Sequence, residues 1–171
     1  MAILPGSFNP FHAGHRQIAG WVATRLELPV AFEMSIVNVD KPPLGDAEIS
    51  RRVAQFLGVR PLFITAAATF PEKAQLFPNS LFLVGADTIA RVADASYYAR
   101  IGQTLKEAVD EIQRQGCRFL VFGRQIASGF STLHDLRLPS PLAAICHAVD
   151  EHEFRKDISS TGLRASGWPG N

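Results

Sequence analysis

Residues 2–19 read AILPGSFNPFHAGHRQIA, and the fold hangs on how this run is divided. The residues before Gly6 are unbroken and apolar, too few for a core helix and the right number for a buried strand, here placed over residues 1–5. Gly6 lets the chain turn sharply and lets backbone approach a ligand, and Pro10 fixes the turn before the next element. A helix is expected from about His12 to Leu26, with Ile18, Trp21 and Val22 along its apolar side. A short apolar strand, a tight turn and an amphipathic helix form the opening unit of a parallel α/β sheet.

The same alternation continues downstream. VAFEMSIV (30–37), PLFITA (61–66), LFLVG (81–85) and FLVFG (119–123) read as strands, and LAAICHAV (142–149) as a sixth. Between them, Asp46 starts a helical stripe of Ile49, Val53, Phe56 and Leu57 that Gly58 stops. ADTIARV follows the fourth strand as a helix, and Leu105, Ala108, Val109 and Ile112 make another, closed by Gly116. Residues 124–141 have no clear period and read as a long functional loop or lid; DISSTGLRASG reads as a cap and a short helix. Strands that are apolar throughout imply a sheet covered on both faces: a Rossmann-like three-layer α/β sandwich of five or six mostly parallel strands, as a single domain over residues 1–171. Such sheets bind ligands beyond the carboxyl ends of their strands, where the strand order reverses. Gly6–His15, Lys41, Gly85–Asp87 and Gly123–Arg124 all follow strands and so fall on that edge.

Composition narrows the function. A chain of 171 residues with 47% hydrophobic and 19% charged residues is globular, and a net charge of +1 without a basic block argues against a nucleic-acid binder. No apolar run approaches the roughly 20 residues of a membrane span, and no signal peptide is expected at the N-terminus. Cys117 and Cys146 form no CxxC pair, so both are expected as reduced residues of a cytoplasmic protein. Nothing here bears on assembly, and a homo-oligomer stays open.

His12 and His15 carry the first chemical signal. Three residues apart, they share a face of the first helical turn, where free N–H groups and the helix dipole favour an anion. Gly14 between them leaves room for a bulky group. The spacing fits neither a P-loop, which needs Lys-Ser/Thr after GxxxxG, nor GxGxxG, nor a zinc site, which would want histidines four apart and a third ligand. The stretch reads as a phosphate cradle with two imidazole donors and no protein-borne metal site, with two ordinary helix-end histidines as the alternative.

At these residues a resemblance enters. GSFNPFHAGH resembles the GxFxPxHxGH signature of the nucleotidylyltransferase superfamily, and ISSTGLR (158–164) resembles its second signature, ISSTxxR. Within that superfamily the chain is most similar to nicotinamide or nicotinate mononucleotide adenylyltransferases, through KPP after the second strand, EISRRVAQF, LVGADT and FLVFGR. The resemblance implies that His12 and His15 bind the triphosphate, His15 close to the α-phosphate; that Gly6, Ser7, Phe8 and Gly14 line the nucleotide site; and that Lys41 neutralises phosphate charge. It further implies that Gly85 and Asp87 meet base and ribose, that Gly123 and Arg124 lie beside them, and that Ser159, Ser160 and Thr161 cap a helix on the outer phosphates with Arg164 beside it. The substrates implied are ATP and a phosphorylated small-molecule acceptor, with Mg²⁺ bound mainly through the substrate phosphates. Bland readings stand beside these: Lys41 as a solvated loop lysine, Asp87 and ISST as helix caps, Arg124 as half of a surface ion pair.

The sequence departs from that pattern in two places. Asn9 stands where many relatives carry Asp, and no tryptophan lies between Trp21 and Trp168, in a region where relatives place substrate-recognising residues. Phe70, Phe77, Tyr97 and Tyr98 are the candidates for stacking on a nicotinamide ring, with core packing as the alternative for each. The expected contact region, residues 66–79, holds one basic residue, Lys73, with Glu72 and Gln75, and leans to the amide mononucleotide over the acid. Two other classes stay open: a transferase for a phosphopantetheine-like or phosphocholine-like acceptor, with ATP or CTP, and a nucleotide-binding module without catalysis.

Overall fold

The computed structural model describes residues 1–40, 42–126, 129–155, 160–165 and 167, without the side chains of residues 126, 160, 161 and 165. In chain order the elements are β1 (Ala2–Pro5), α1 (Ala13–Arg25), β2 (Val30–Ser35), α2 (Asp46–Val53) running into a 3₁₀ turn (Ala54–Phe56), β3 (Leu62–Thr65), α3 (Phe70–Leu76), β4 (Leu81–Gly85), α4 (Ala86–Val92), α5 (Ala95–Ala99), α6 (Leu105–Arg114), β5 (Arg118–Phe122), β6 (Arg124–Ile126), β7 (Gly129–Ser131), a second 3₁₀ turn (Leu133–Asp135), α7 (Ser140–Ala143), β8 (Cys146–Val149) and α8 (Ser160–Ala165). Six strands form one parallel sheet in the order β3-β2-β1-β4-β5-β8. The order reverses between β1 and β4, which places the expected ligand crevice above Pro5 and Gly85.

The two faces explain why the strands are apolar throughout. Ile3, Phe82, Val84, Phe119 and Val121 point to one side, against Phe70, Ala74, Ile89, Val109, Ile112 and Leu142. Ala2, Leu4, Phe32, Met34, Leu83 and Phe122 point to the other, against Ala19, Val22 and the rings of Phe8, Phe11 and Phe56. With helices on both faces, the chain is the three-layer Rossmann-like sandwich its sequence implies. No helix among the described residues is long and apolar enough to cross a membrane.

One polar group breaks the pattern. Glu33 lies in β2 and is fully buried. Lys73 of α3 donates to both its carboxylate oxygens, at 2.8 and 2.9 Å, and Thr65 of β3 donates to one of them at 2.5 Å. The third Lys73 proton goes to the Ala67 carbonyl at 2.8 Å. This buried ion pair ties β2, β3 and α3 together just below the crevice edge.

Several boundaries differ from the sequence reading, each for a physical reason. Gly45 rather than Asp46 is the N-cap of α2, and the helix tightens to 3₁₀ geometry after Val53. Leu57 is therefore turned outward, 82% exposed, instead of extending the apolar stripe. Residues 142–149 divide: Leu142 is a core residue of α7, started by Pro141, and only Cys146–Val149 is strand. Among the described residues of 124–141 the chain forms the antiparallel pair β6 and β7, a 3₁₀ turn and the start of α7 rather than one continuous loop. Phe70 and Tyr98 are core residues, which removes both as stacking partners for a ligand ring, whereas Tyr97 keeps its hydroxyl on the Ala68 carbonyl at 3.1 Å.

Candidate active site

The histidine loop leaves β1 and is pulled inward by its rings. Phe8 adopts a left-handed backbone (φ 46°), which leaves Ser7 exposed while the Phe8 ring drops into the core at 1% exposure. That ring meets Phe32, Phe56, Phe11 and His15 edge-on. The Phe8 side chain thus supports the site from beneath and cannot line an open nucleotide surface, contrary to the role carried over by resemblance. Gly6 follows the strand directly, its N–H donating to the Glu33 carbonyl at 2.9 Å.

His12 is the N-cap of α1 and His15 lies three residues on, beside the buried Gly14. The His12 backbone N–H donates to His15 Nδ1 at 3.2 Å, so the neutral His15 ring carries its proton on Nε2. The His15 ring lies parallel to Phe11 at 5.5 Å and stacks on His12 at 3.8 Å between centroids. Both are buried, at 4% for His12 and 8% for His15. Burial is the main reason both titrate low. His12 falls to about 4, with Arg124 as the second cause; His15 falls to about 2, with His12 and then Arg124 adding to the effect. At neutral pH the pair is uncharged. Both ring nitrogens of His12 lack a hydrogen-bond partner among the described residues, although fully buried. A buried polar group left so costs about 1–3 kcal/mol, and a donor or acceptor entering from the crevice recovers it.

The positive charge comes from the far side of the switch point. Arg124 opens β6 directly after β5, and its Nε sits 3.4 Å from the Asp87 carboxylate in the first turn of α4. Gly85 is the N-cap of that helix, so Asp87 is not a cap. A Cβ at Gly85 would overlap both the Asp87 carboxylate and the Arg124 side chain, and a Cβ at Gly123 would overlap the Phe130 ring. Glycine at both positions is what permits strand end, acid and guanidinium to crowd together.

The second signature reaches the first. α8 begins at Ser160, and the Arg164 guanidinium donates to the Asn9 carbonyl of the histidine loop. Thr161 lies in the first turn of α8, whereas Lys41 and Ser159 lie outside the described residues. Gly6, Ser7, His12, Gly14 and His15 thus follow β1, Gly85 and Asp87 follow the adjacent β4, and Gly123 and Arg124 follow β5 beside it, while Arg164 reaches the loop through Asn9.

Sequence reasoning missed the residues that hold the loop from behind. Arg52, 8% exposed, donates to the Ser7 carbonyl at 2.8 Å; Gln55 bonds both Phe8 and Phe11; and Arg51 donates to the Asn9 side chain at 2.8 Å. Their signal is a polar stripe, Glu48–Arg52–Gln55, running at helical spacing beside the apolar one, with Glu48 holding both arginines.

Neutral imidazole donors at a helix N-terminus, an arginine opposite and glycines that admit close approach suit an anionic, phosphate-bearing ligand. No curated protein matches the chain. The cytidylyltransferase-like family model matches residues 3–166, nearly the whole length, and that span includes both signatures and all six strands of the parallel sheet. The chain belongs to the cytidylyltransferase-like family, within the nucleotidylyltransferase superfamily.

Proposed function

We propose that this nucleotidylyltransferase joins the AMP part of ATP to the 5′-phosphate of nicotinamide mononucleotide and releases pyrophosphate. The observation that carries the proposal is the neutral, buried His12–His15 pair at the start of α1, facing Arg124 across the switch in strand order. A phosphate oxygen of the acceptor attacks the α-phosphorus of ATP; the bond from that phosphorus to the bridging oxygen breaks, and its electron pair leaves with pyrophosphate. The nucleophile is already an anion, so positioning and charge stabilisation replace a strong base. In this reading His15 donates its Nε2 proton to the α-phosphate, and His12 gains there the partner it lacks. Arg124 and the first N–H groups of α1 take up developing negative charge, and Gly85 and Asp87 meet the adenosine. The start of α8, with Ser160, Thr161 and Arg164, faces the outer phosphates. The same parts would be completed by Lys41 and Ser159, which rest on the sequence resemblance alone. Mg²⁺ enters as part of the MgATP substrate.

The lean to the amide acceptor draws support from Lys73. All three of its protons are taken by Glu33 and Ala67, so the one basic residue of segment 66–79 has nothing left for a nicotinate carboxylate. The test is pyrophosphate release with ATP or CTP against a panel of nicotinamide mononucleotide, nicotinate mononucleotide, phosphopantetheine and phosphocholine. The expected result is turnover with ATP and the amide mononucleotide, lowered about 10²–10³-fold in His15→Ala with ATP affinity changed far less. Turnover only with another acceptor, or a His15→Ala variant within a few-fold of wild type, overturns the assignment.

A further inference from the structure

We infer that Gln55, outside the crevice and assigned no part in the chemistry above, is a positioning residue whose carboxamide sets the height of His15. Its Oε1 accepts the Phe11 N–H at 2.8 Å, and its Nε2 donates to the Phe8 carbonyl at 3.0 Å and the Arg52 carbonyl at 3.2 Å. One side chain therefore grips both ends of the four-residue turn Phe8–Phe11, acting as a neighbouring strand would. Those two residues are the ones that fix His15: the Phe8 ring meets it edge-on at 5.0 Å and the Phe11 ring lies parallel to it at 5.5 Å. Phe11 also precedes His12, whose N–H selects the His15 tautomer. The route from Gln55 to the reacting phosphate thus has three short steps: carboxamide to turn, turn to aromatic rings, rings to the imidazole that bears the Nε2 proton. A catalytic donor must be held to about 0.5 Å, and misplacement by about 1 Å costs on the order of 10²-fold in rate.

The amide is required because the turn presents one donor and one acceptor. Methionine matches its length and offers neither. An ionised glutamate accepts from Phe11 but faces the Phe8 carbonyl with a second acceptor; a protonated glutamate offers a hydroxyl donor and a carbonyl acceptor and stands in for the amide. The inference rests on the nucleotidyl-transfer reading for its kinetic arm only. Wild type, Gln55→Met and Gln55→Glu are compared from pH 4 to 8 with ATP and nicotinamide mononucleotide, alongside thermal unfolding and ¹⁵N-imidazole NMR of His15. For Gln55→Met we expect kcat to drop about 10–100-fold at every pH, with KM for ATP within about 3-fold, and the His15 ring resonances to move. For Gln55→Glu, whose charged and titratable neighbours are Arg52 and Glu48 on the same helical stripe and His15 across the turn, the ratio of kcat to wild type should be low from pH 8 to 5 and rise as pH falls toward the usual glutamate value of about 4.3. A purely structural role would lower both unfolding midpoints and leave that ratio flat, which overturns the inference. Wild-type kcat with unshifted His15 resonances in Gln55→Met overturns it as well. Should Gln55→Met fail to fold, the pH dependence of Gln55→Glu decides. Should wild type transfer no nucleotide at all, the reaction assignment fails, and the NMR shift in Gln55→Met alone judges Gln55.

Discussion

His12 and His15 are buried without charge, and this shapes how the protein responds to acid. In the unfolded chain each takes a proton near pH 6.5; in the folded chain His12 resists until about 4 and His15 until about 2. Between those values the unfolded state binds more protons, so stability is intact above pH 6.5 and declines as pH falls through 6.5 toward 4, at up to about 1.4 kcal/mol per pH unit per histidine. Urea unfolding at successive pH values should show this decline, and His12→Gln should flatten it. Equal slopes for the two proteins would mean that His12 titrates freely in the fold. An anion placed beside the pair would raise both values, because negative charge favours the protonated form. The two histidines are thus neutral at rest, and burial is what keeps them so.

At the level of the elements, the ion pair between β2 and α3 is the part most exposed to a single change. Lys73→Met strands the Glu33 carboxylate in the sheet interior and should cost about 3–5 kcal/mol in urea unfolding. Glu33→Gln combined with Lys73→Met should recover most of it, since the glutamine carbonyl still accepts from Thr65. A single variant as stable as wild type would show that the pair is dispensable. The elements legible in the sequence are those whose own residues dictate them. The strands are apolar on both faces, and α6 repeats Leu105, Ala108, Val109 and Ile112. The elements that escaped are short and owe their form to partners distant in sequence. α3 is seven residues long and started by the Thr69–Glu72 pair, and α5 is five residues long with Tyr97 pinned to Ala68. The site divides the same way. His12, His15, Gly85 and Asp87 announce themselves through local spacing after strands. Arg52 and Gln55 act on backbone carbonyls 45 and 47 positions away, and nothing in a linear sequence marks which carbonyl will lie opposite a given side chain.

Across the whole molecule, the sheet and the site have different requirements. The last strand ends at Val149, and Phe154 closes the α1 face against Trp21 and Phe122. A chain cut after residue 157 retains all of this and loses α8. Its unfolding should remain cooperative, with far-ultraviolet circular dichroism close to wild type, while pyrophosphate release is abolished and triphosphate binding weakens through lost charge-assisted contacts. Normal turnover in the shortened protein would show that the second signature is not used.

The contact of Arg164 with the Asn9 carbonyl spans 155 positions, and it has a consequence in time. At about 5–20 residues per second, a ribosome makes the histidine loop roughly 8–30 s before the residue that grips it. During that interval α2, with Arg51, Arg52 and Gln55, is already made, whereas Leu83, Leu120, Phe122 and Val149, which share the core of the loop's Phe8 and Phe11 rings, are still being added. The loop's anchors are therefore synthesised in sequence: α2 first, then β4, β5 and β8, and the helix that bears Arg164 last.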